Sequence, residues 1–180
     1  MGRDGARPLL KWGVVMKGPQ RKAVRLTGYD YATPGKYAIT IRTYLSAPLL
    51  GHLVEGKIVL TDIGKFVSDC WPGLGEQYRG IRPGVFVVMP NHFHGLIEFV
   101  AEDESLRLSL PDIIRNFKAF TSHEYWIKSN QRKLWQRSYF EHIVRDAADL
   151  HRFENYIINN PSTWARDKYY LESEQTCLYQ

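Results

Sequence analysis

The chain reads as an α+β protein of the ferredoxin-like split-βαβ type: an antiparallel sheet with helices on one face, plus an extra C-terminal helix that carries a tyrosine. Three observations predict this. Strand-period and helix-period segments follow one another as strand, helix, strand, strand, helix, strand, with a last helix behind them. The strand-like stretches are short and rich in β-branched and aromatic residues, whereas the helix-like ones open at Thr, Asp or Pro and close near Pro. With 180 residues, 44% of them hydrophobic and 24% charged, the chain is sized for one domain that builds its own core.

Each element has a local cause. Tyr37, Ile39, Ile41, Thr43 and Leu45 alternate, which predicts a strand over 36–45. Residues 53–60 suit a short hairpin around Glu55-Gly56. Thr61 or Asp62 caps a helix whose apolar residues Ile63, Phe66, Val67 and Cys70 recur at helical spacing, and Pro72-Gly73 ends it. The continuous apolar run 85–89 fits a buried strand, Pro90-Asn91 a turn, and 92–100 the returning strand. An acidic loop (Glu102, Asp103, Glu104) follows. Pro111 fits the first position of a second helix striped by Ile113, Ile114, Phe117 and Phe120. Residues 139–144 form the fourth strand of the sheet. Asp146 caps a third helix that runs to Asn160 and is stopped by Pro161.

Composition excludes several classes. Only Cys70 and Cys177 are present, outside any Cys-x-x-Cys spacing, which argues against a disulfide framework or a cysteine zinc cage. No apolar run approaches the ~18–20 residues needed to cross a bilayer, and the patch 9–16 is interrupted by Lys11, so a cytoplasmic protein without membrane contact is expected. Residues 1–30 hold seven basic and two acidic side chains and account for the whole net charge of +5. Residues 107–137 add a second basic stretch. Together these point to a polyanionic partner, although a solvated tail and a helix with an ordinary charged face would look the same.

The most informative stretch is VVMPNHFHGLIEF. His92 and His94 stand two apart on a strand and project from one face, with Phe93 on the other. Two imidazoles one pleat apart can ligate a divalent ion when further groups converge, and they can equally be hydrogen-bonded core histidines. On the last helix Tyr156 and Asn160 are spaced i, i+4 on a stripe that faces the protein body. A buried asparagine needs a partner, because an unpaired amide costs ~1–3 kcal/mol. A metal held by the histidines is one such partner; helix capping by Asn160 and plain packing of Tyr156 are the alternatives.

VVMPNHFHGLIEF, LWQRSYFEHIVRDAADL and FENYIINNP, in that order and spacing, resemble the REP-associated tyrosine transposases of the single-tyrosine HUH endonuclease superfamily. The resemblance runs from about residue 25 to Pro161. It implies a basic, loosely ordered leader over 1–24, one HUH transposase-like catalytic domain over 25–161, and a C-terminal tail over 162–180. It further implies that His92 and His94, with Asn160 as the third ligand, hold a divalent ion, Mg or Mn, and that Tyr156 attacks the DNA phosphate. The implied activity is a metal-dependent single-stranded DNA endonuclease and strand-transferase acting near DNA hairpins through a 5′-phosphotyrosyl intermediate. Related enzymes act as monomers or dimers, so a homodimer is one expected assembly. Magnesium prefers oxygen ligands, whereas manganese suits imidazole better. No G-x-x-x-x-G-K-[ST] loop is present, in keeping with a reaction that needs no ATP.

For DNA binding the expected contacts are Arg115, Lys118, Arg132, Lys133 and Arg137 to phosphates. Trp135, Tyr29 and Tyr31 are expected to stack on unpaired bases, with packing as the alternative for each ring. His142 is a candidate general base by location. Two other functions fit part of the pattern: a non-catalytic hairpin or single-strand DNA-binding module of the same fold, and a water-using metal-dependent phosphoesterase.

Overall fold

The structure is a computed structural model that describes residues 28–100, 108–166 and 169–170. The basic leader and the acidic loop at 102–104 lie outside the described residues. Four strands make the main sheet: β1 (Gly35–Arg42), β4 (Ile81–Met89), β5 (His92–Phe99) and β6 (Phe140–Val144), in the order β4-β5-β1-β6 with every neighbouring pair antiparallel. That order is the predicted split βαβ. A separate hairpin joins β2 (Gly51–Val54) to β3 (Lys57–Leu60) through Glu55 and Gly56, both at positive φ.

The two faces of the sheet are covered unequally. On one, Ile39, Ile41, Phe93 and Ile97 meet α1 (Asp62–Cys70) and α3 (Leu110–Ser129) through Val67, Trp71, Ile113 and Phe117 in the main core. On the other, Ala38 and Leu96 meet α4 (Ala147–Asn159) through Ile157, with Leu150 and Phe153 beside it. The extra helix therefore has a sheet face to itself. Its start follows from Asp146, whose carboxylate accepts the Asp149 N–H at 2.8 Å. Thr61 caps α1 through the Gly64 N–H, and Ser109 with Asp112 forms a capping box on α3.

Several boundaries differ from the sequence pattern. β1 stops at Arg42 rather than 45, because residues Tyr44–Ser46 turn into a 3-10 helix with Leu45 and Ser46 at positive φ. β4 starts at Ile81, four residues early, its register shifting between Pro83 and Phe86 where the proline has no N–H to give. A short α2 (Leu74–Gln77) follows Pro72-Gly73, and Leu110, not Pro111, opens α3. Past Pro161 the chain does not leave the domain: Pro161–Arg166 form a 3-10 helix that buries Trp164.

At Gly64 the helix backbone runs so close to the preceding loop that a Cβ would lie 1.9 Å from the carbonyl oxygen of Leu50. Gly64→Ala must push α1 away from that loop, at the ~1–3 kcal/mol typical of overpacking or above it. Thermal denaturation should show Tm lowered by about 2–4 °C per kcal/mol, and an unchanged Tm would contradict the packing described.

Candidate active site

The alternation of β5 sends Phe93 into the main core and turns His92 and His94 toward α4. Their ring centroids are 4.5 Å apart, and both side chains are almost wholly buried. Each Nδ1 is engaged by a neighbour. That of His94 lies 2.8 Å from Oγ1 of Thr40, its register partner on β1. That of His92 lies 2.8 Å from Oδ1 of Asn91. The Asn91 amide is oriented by its Nδ2, which donates to the Tyr169 carbonyl at 2.7 Å. Oδ1 only accepts, so the His92 Nδ1 is the donor in this pair.

α4 brings the tyrosine to the same place. The Tyr156 hydroxyl is 3.4 Å from Nε2 of His94, with the rings edge-on at 5.1 Å, and the side chain is 40% exposed. Asn160, one turn on, is 1% exposed. A further four residues along, Trp164 lies 5.6 Å from the His92 ring. Asn160 thus sits between a residue that meets His94 and one that meets His92. Its backbone ends the helix, donating to Ile157 and accepting from Thr163, so its capping role and its side-chain position coexist.

Nε2 of His92 and Oδ1 of Asn160 are both buried at this end of the helix. Two imidazole nitrogens and an amide oxygen would make a neutral donor set, one that manganese accepts more readily than magnesium. Among the described residues no group of three or more His, Cys, Asp or Glu side chains could hold a metal, so the set depends on the asparagine.

His142 projects from β6 on the α4 side, its ring tilted against that of Phe153 with centroids 4.6 Å apart. Its Nε2 is 2.7 Å from Oδ2 of Asp149, so a base role would fall to Nδ1. That hydrogen bond, with those from the Arg145 N–H and the Arg152 guanidinium, holds the Asp149 carboxyl below the usual range.

The expected DNA contacts divide. Arg132, Lys133 and Arg137 are exposed, Lys133 resting over the Tyr44 ring at 4.7 Å. Arg115 is tied to Asp112 at 2.8 Å. Three expectations need correction. Trp135 is 7% exposed and its indole donates to Thr121 at 2.8 Å, so it is a core residue with no face to offer a base. Lys118 turns inward onto the carbonyls of Gln136 and Arg137, and burial pulls its pKa down to about 8. Tyr31 is likewise buried, edge-on to Tyr29 and tilted against Tyr37, and donates to Glu141 at 2.9 Å.

Sequence reasoning missed Thr40, Asn91, Trp164 and Tyr169. Thr40 was within reach, since it alternates onto the histidine face of the neighbouring strand. The other three were assigned to a turn and a tail. The tail boundary at 162 is corrected here: Trp164 packs on His92, and the Tyr169 ring stands 4.9 Å from it.

The fold is an α+β split-βαβ sheet in which a histidine pair on β5 faces a tyrosine on α4. The family described as "Transposase IS200 like" matches residues 80–160. An uncharacterized protein of Haemophilus influenzae is 33% identical over 172 residues, covering 84% of this chain and 94% of its own length. The chain belongs to the IS200-like transposase family. It is also similar to a Haemophilus influenzae protein named "Putative REP-associated tyrosine transposase", at 25% identity over 58% of this chain and 62% of that one. A solved REP-associated tyrosine transposase bound to a REP hairpin shares the fold, with a TM-score of 0.59 at 17% identity over 82% of this chain and 77% of that one. No helix among the described residues is long and apolar enough to cross a membrane.

The lowered Asp149 carboxyl gives a sign that can be checked. A carboxyl depressed in the folded state adds stability above the unfolded carboxylate pKa, and that contribution is lost as pH falls through the folded value. His142→Ala should move the Asp149 titration upward when followed by carboxyl NMR; an unmoved titration would remove His142 as the principal cause.

Proposed function

We propose that the protein is a metal-dependent single-stranded DNA endonuclease and strand-transferase that works beside DNA hairpins, with Tyr156 as nucleophile. The observation that carries this reading is the approach of the Tyr156 hydroxyl to His94 at 3.4 Å, within a fold and family of transposases. The REP hairpin bound by the structural neighbour supports hairpin DNA as the substrate class.

The residues divide the work. Nε2 of His92, Nε2 of His94 and the Asn160 amide oxygen would hold the divalent ion. When bound, that ion supplies Lewis-acid polarisation of the phosphoryl oxygens and favours the ionised phenol. Asn91 and Thr40 keep the two imidazoles in orientation through their Nδ1 atoms. The Tyr156 oxygen attacks phosphorus and forms the phosphotyrosyl ester. The bond from phosphorus to the preceding 3′ oxygen breaks, and that oxygen takes up a proton to leave as a 3′-hydroxyl. In the joining step a 3′-hydroxyl attacks the ester and the phenol leaves, its reference pKa of ~10 making it a better leaving group than an alkoxide. The ester preserves the energy of the phosphodiester, so no ATP is consumed. The exposed Arg132, Lys133 and Arg137 would contact the backbone.

Tyr156→Phe should abolish covalent adducts on labelled hairpin strands in manganese while leaving binding nearly intact, since only a hydroxyl is lost. An adduct that survives reassigns the nucleophile. His92→Ala or His94→Ala should remove cleavage and manganese binding together, the latter read by electron paramagnetic resonance. Cleavage in EDTA equal to cleavage in manganese would defeat the metal assignment. If ~6–10 phosphates are contacted, affinity should fall ~10³–10⁵-fold between 50 and 200 mM salt, and a flat salt dependence would exclude a backbone-tracking mode.

A further inference from the structure

Between the sheet edge and α4 lies a cavity of about 150 Å³ that the reaction above leaves unused. Its floor is Ala38 and Thr40 of β1, and its walls are the rings of Phe140, His142, Phe153 and Tyr156. The β6 register explains the walls. Phe140 stands opposite Thr40 and His142 opposite Ala38, so both rings rise on the α4 side, and Phe153 closes on His142 from the helix. Ala38 has no bulk to fill the space between them. Phe140 is 53% exposed, so a large apolar ring borders the cavity with much of its surface in water.

We infer that this cavity binds one unpaired nucleobase, that of a nucleotide next to the phosphate attacked by Tyr156. The inference rests on the function proposed above and names what its site holds besides the phosphate. Location gives the first argument: Tyr156 and His94 both line the cavity, so an occupant lies directly against the phenol. Chemistry gives the second. The Thr40 hydroxyl is committed to His94 and Nε2 of His142 to Asp149, so the walls present chiefly π-faces, with Nδ1 of His142 and the Tyr156 hydroxyl as polar edges. A flat aromatic occupant suits them, and stacking of this kind tolerates any base. Size is the third argument. The volume is about ten times the ~10–15 Å³ that one water needs, enough for a flat ring slid in edge-first. Enzymes that act on nucleic acid commonly hold an unstacked base in such a snug pocket.

Phe140 is the residue to test, because its exposure lets it be replaced without opening a core. Binding of a fluorescein-labelled fifteen-nucleotide dT strand is measured by anisotropy in EDTA, where no cleavage competes. Phe140→Ala and Phe140→Leu should each weaken binding roughly fivefold or more, the low end of a base–aromatic stack, and Phe140→Tyr should restore it. The same strand carrying 5-iododeoxyuridine should photocrosslink to the peptide that contains Phe140 or Tyr156. Equal affinity for the Ala variant, full affinity for the Leu variant, or crosslinks that avoid both peptides would each overturn the assignment. If the wild type forms the Tyr156 adduct on hairpin strands and yet Phe140→Ala binds normally, only the base pocket falls. If the wild type does not bind the strand at all, the DNA reading falls with it.

Discussion

The two-residue period of β5 is the constraint on which the site depends. Phe93 and Ile97 are locked into the main core between the sheet and helices α1 and α3. Their burial contributes roughly 1.5–3 kcal/mol per side chain, and a one-residue slip would forfeit it while forcing His92 and His94 into that core. The antiparallel register with β1 then fixes what stands beside each imidazole, Thr40 against His94 and Arg42 against His92. Packing on one face therefore sets chemistry on the other. The histidines need no loop to position them, and their orientation is inherited from a buried strand paired on both sides.

α4 is held by a lighter hand. Its sheet-facing cluster consists of Ala38, Leu96 and Ile157 with a few half-buried neighbours, against the much larger assembly under α1 and α3. Tyr156 precedes Ile157 by one residue, about 100° round the helix, which carries its ring to the margin of the interface. This is why the phenol meets His94 and still keeps 40% of its surface exposed. A helix with few buried contacts opens at lower free-energy cost than the elements around it. The buried strand thus presents the imidazoles, and the more lightly packed helix presents the hydroxyl at a face open to solvent.

How much of this was legible beforehand depended on the range of the interaction. The succession of elements, a cap at Thr61 or Asp62, the cap at Asp146 and the shared face of the histidines follow from local pattern, and the structure has them, with Thr61 as the cap of α1. Of the stripe facing the body, Asn160 is buried and Tyr156 lies at its margin. The fate of Trp135 was not local. The basic segment around it suggests a surface, but its indole is drawn inward by Phe117 and Thr121 of α3, to which nothing in residues 130–137 points. Lys118 went the same way, its ammonium satisfying two carbonyls of the loop that Trp135 anchors. The segment after Pro161 was misjudged because proline marks the end of an α-helix without dictating the path of the residues after it. A 3-10 helix continues there, and Trp164 returns the chain to His92.

The absence of a carboxylate from the proposed ligand set carries a physical meaning of its own. Two imidazoles and an amide add no negative charge, so a divalent ion held by them would keep its full charge for the incoming phosphate. A carboxylate ligand would cancel part of that charge and set an anion close to another anion. At ~4 Å and an effective dielectric of ~20, one such repulsion is about 4 kcal/mol. Asp149, which approaches the site through His142, is already committed to His142, to the Arg145 N–H and to Arg152. Its carboxylate is therefore neutralised by its own neighbours. An electrostatic design of this kind favours a polyanion at the phenol, and it accounts for a neutral asparagine where metal sites built for simple retention place an acid.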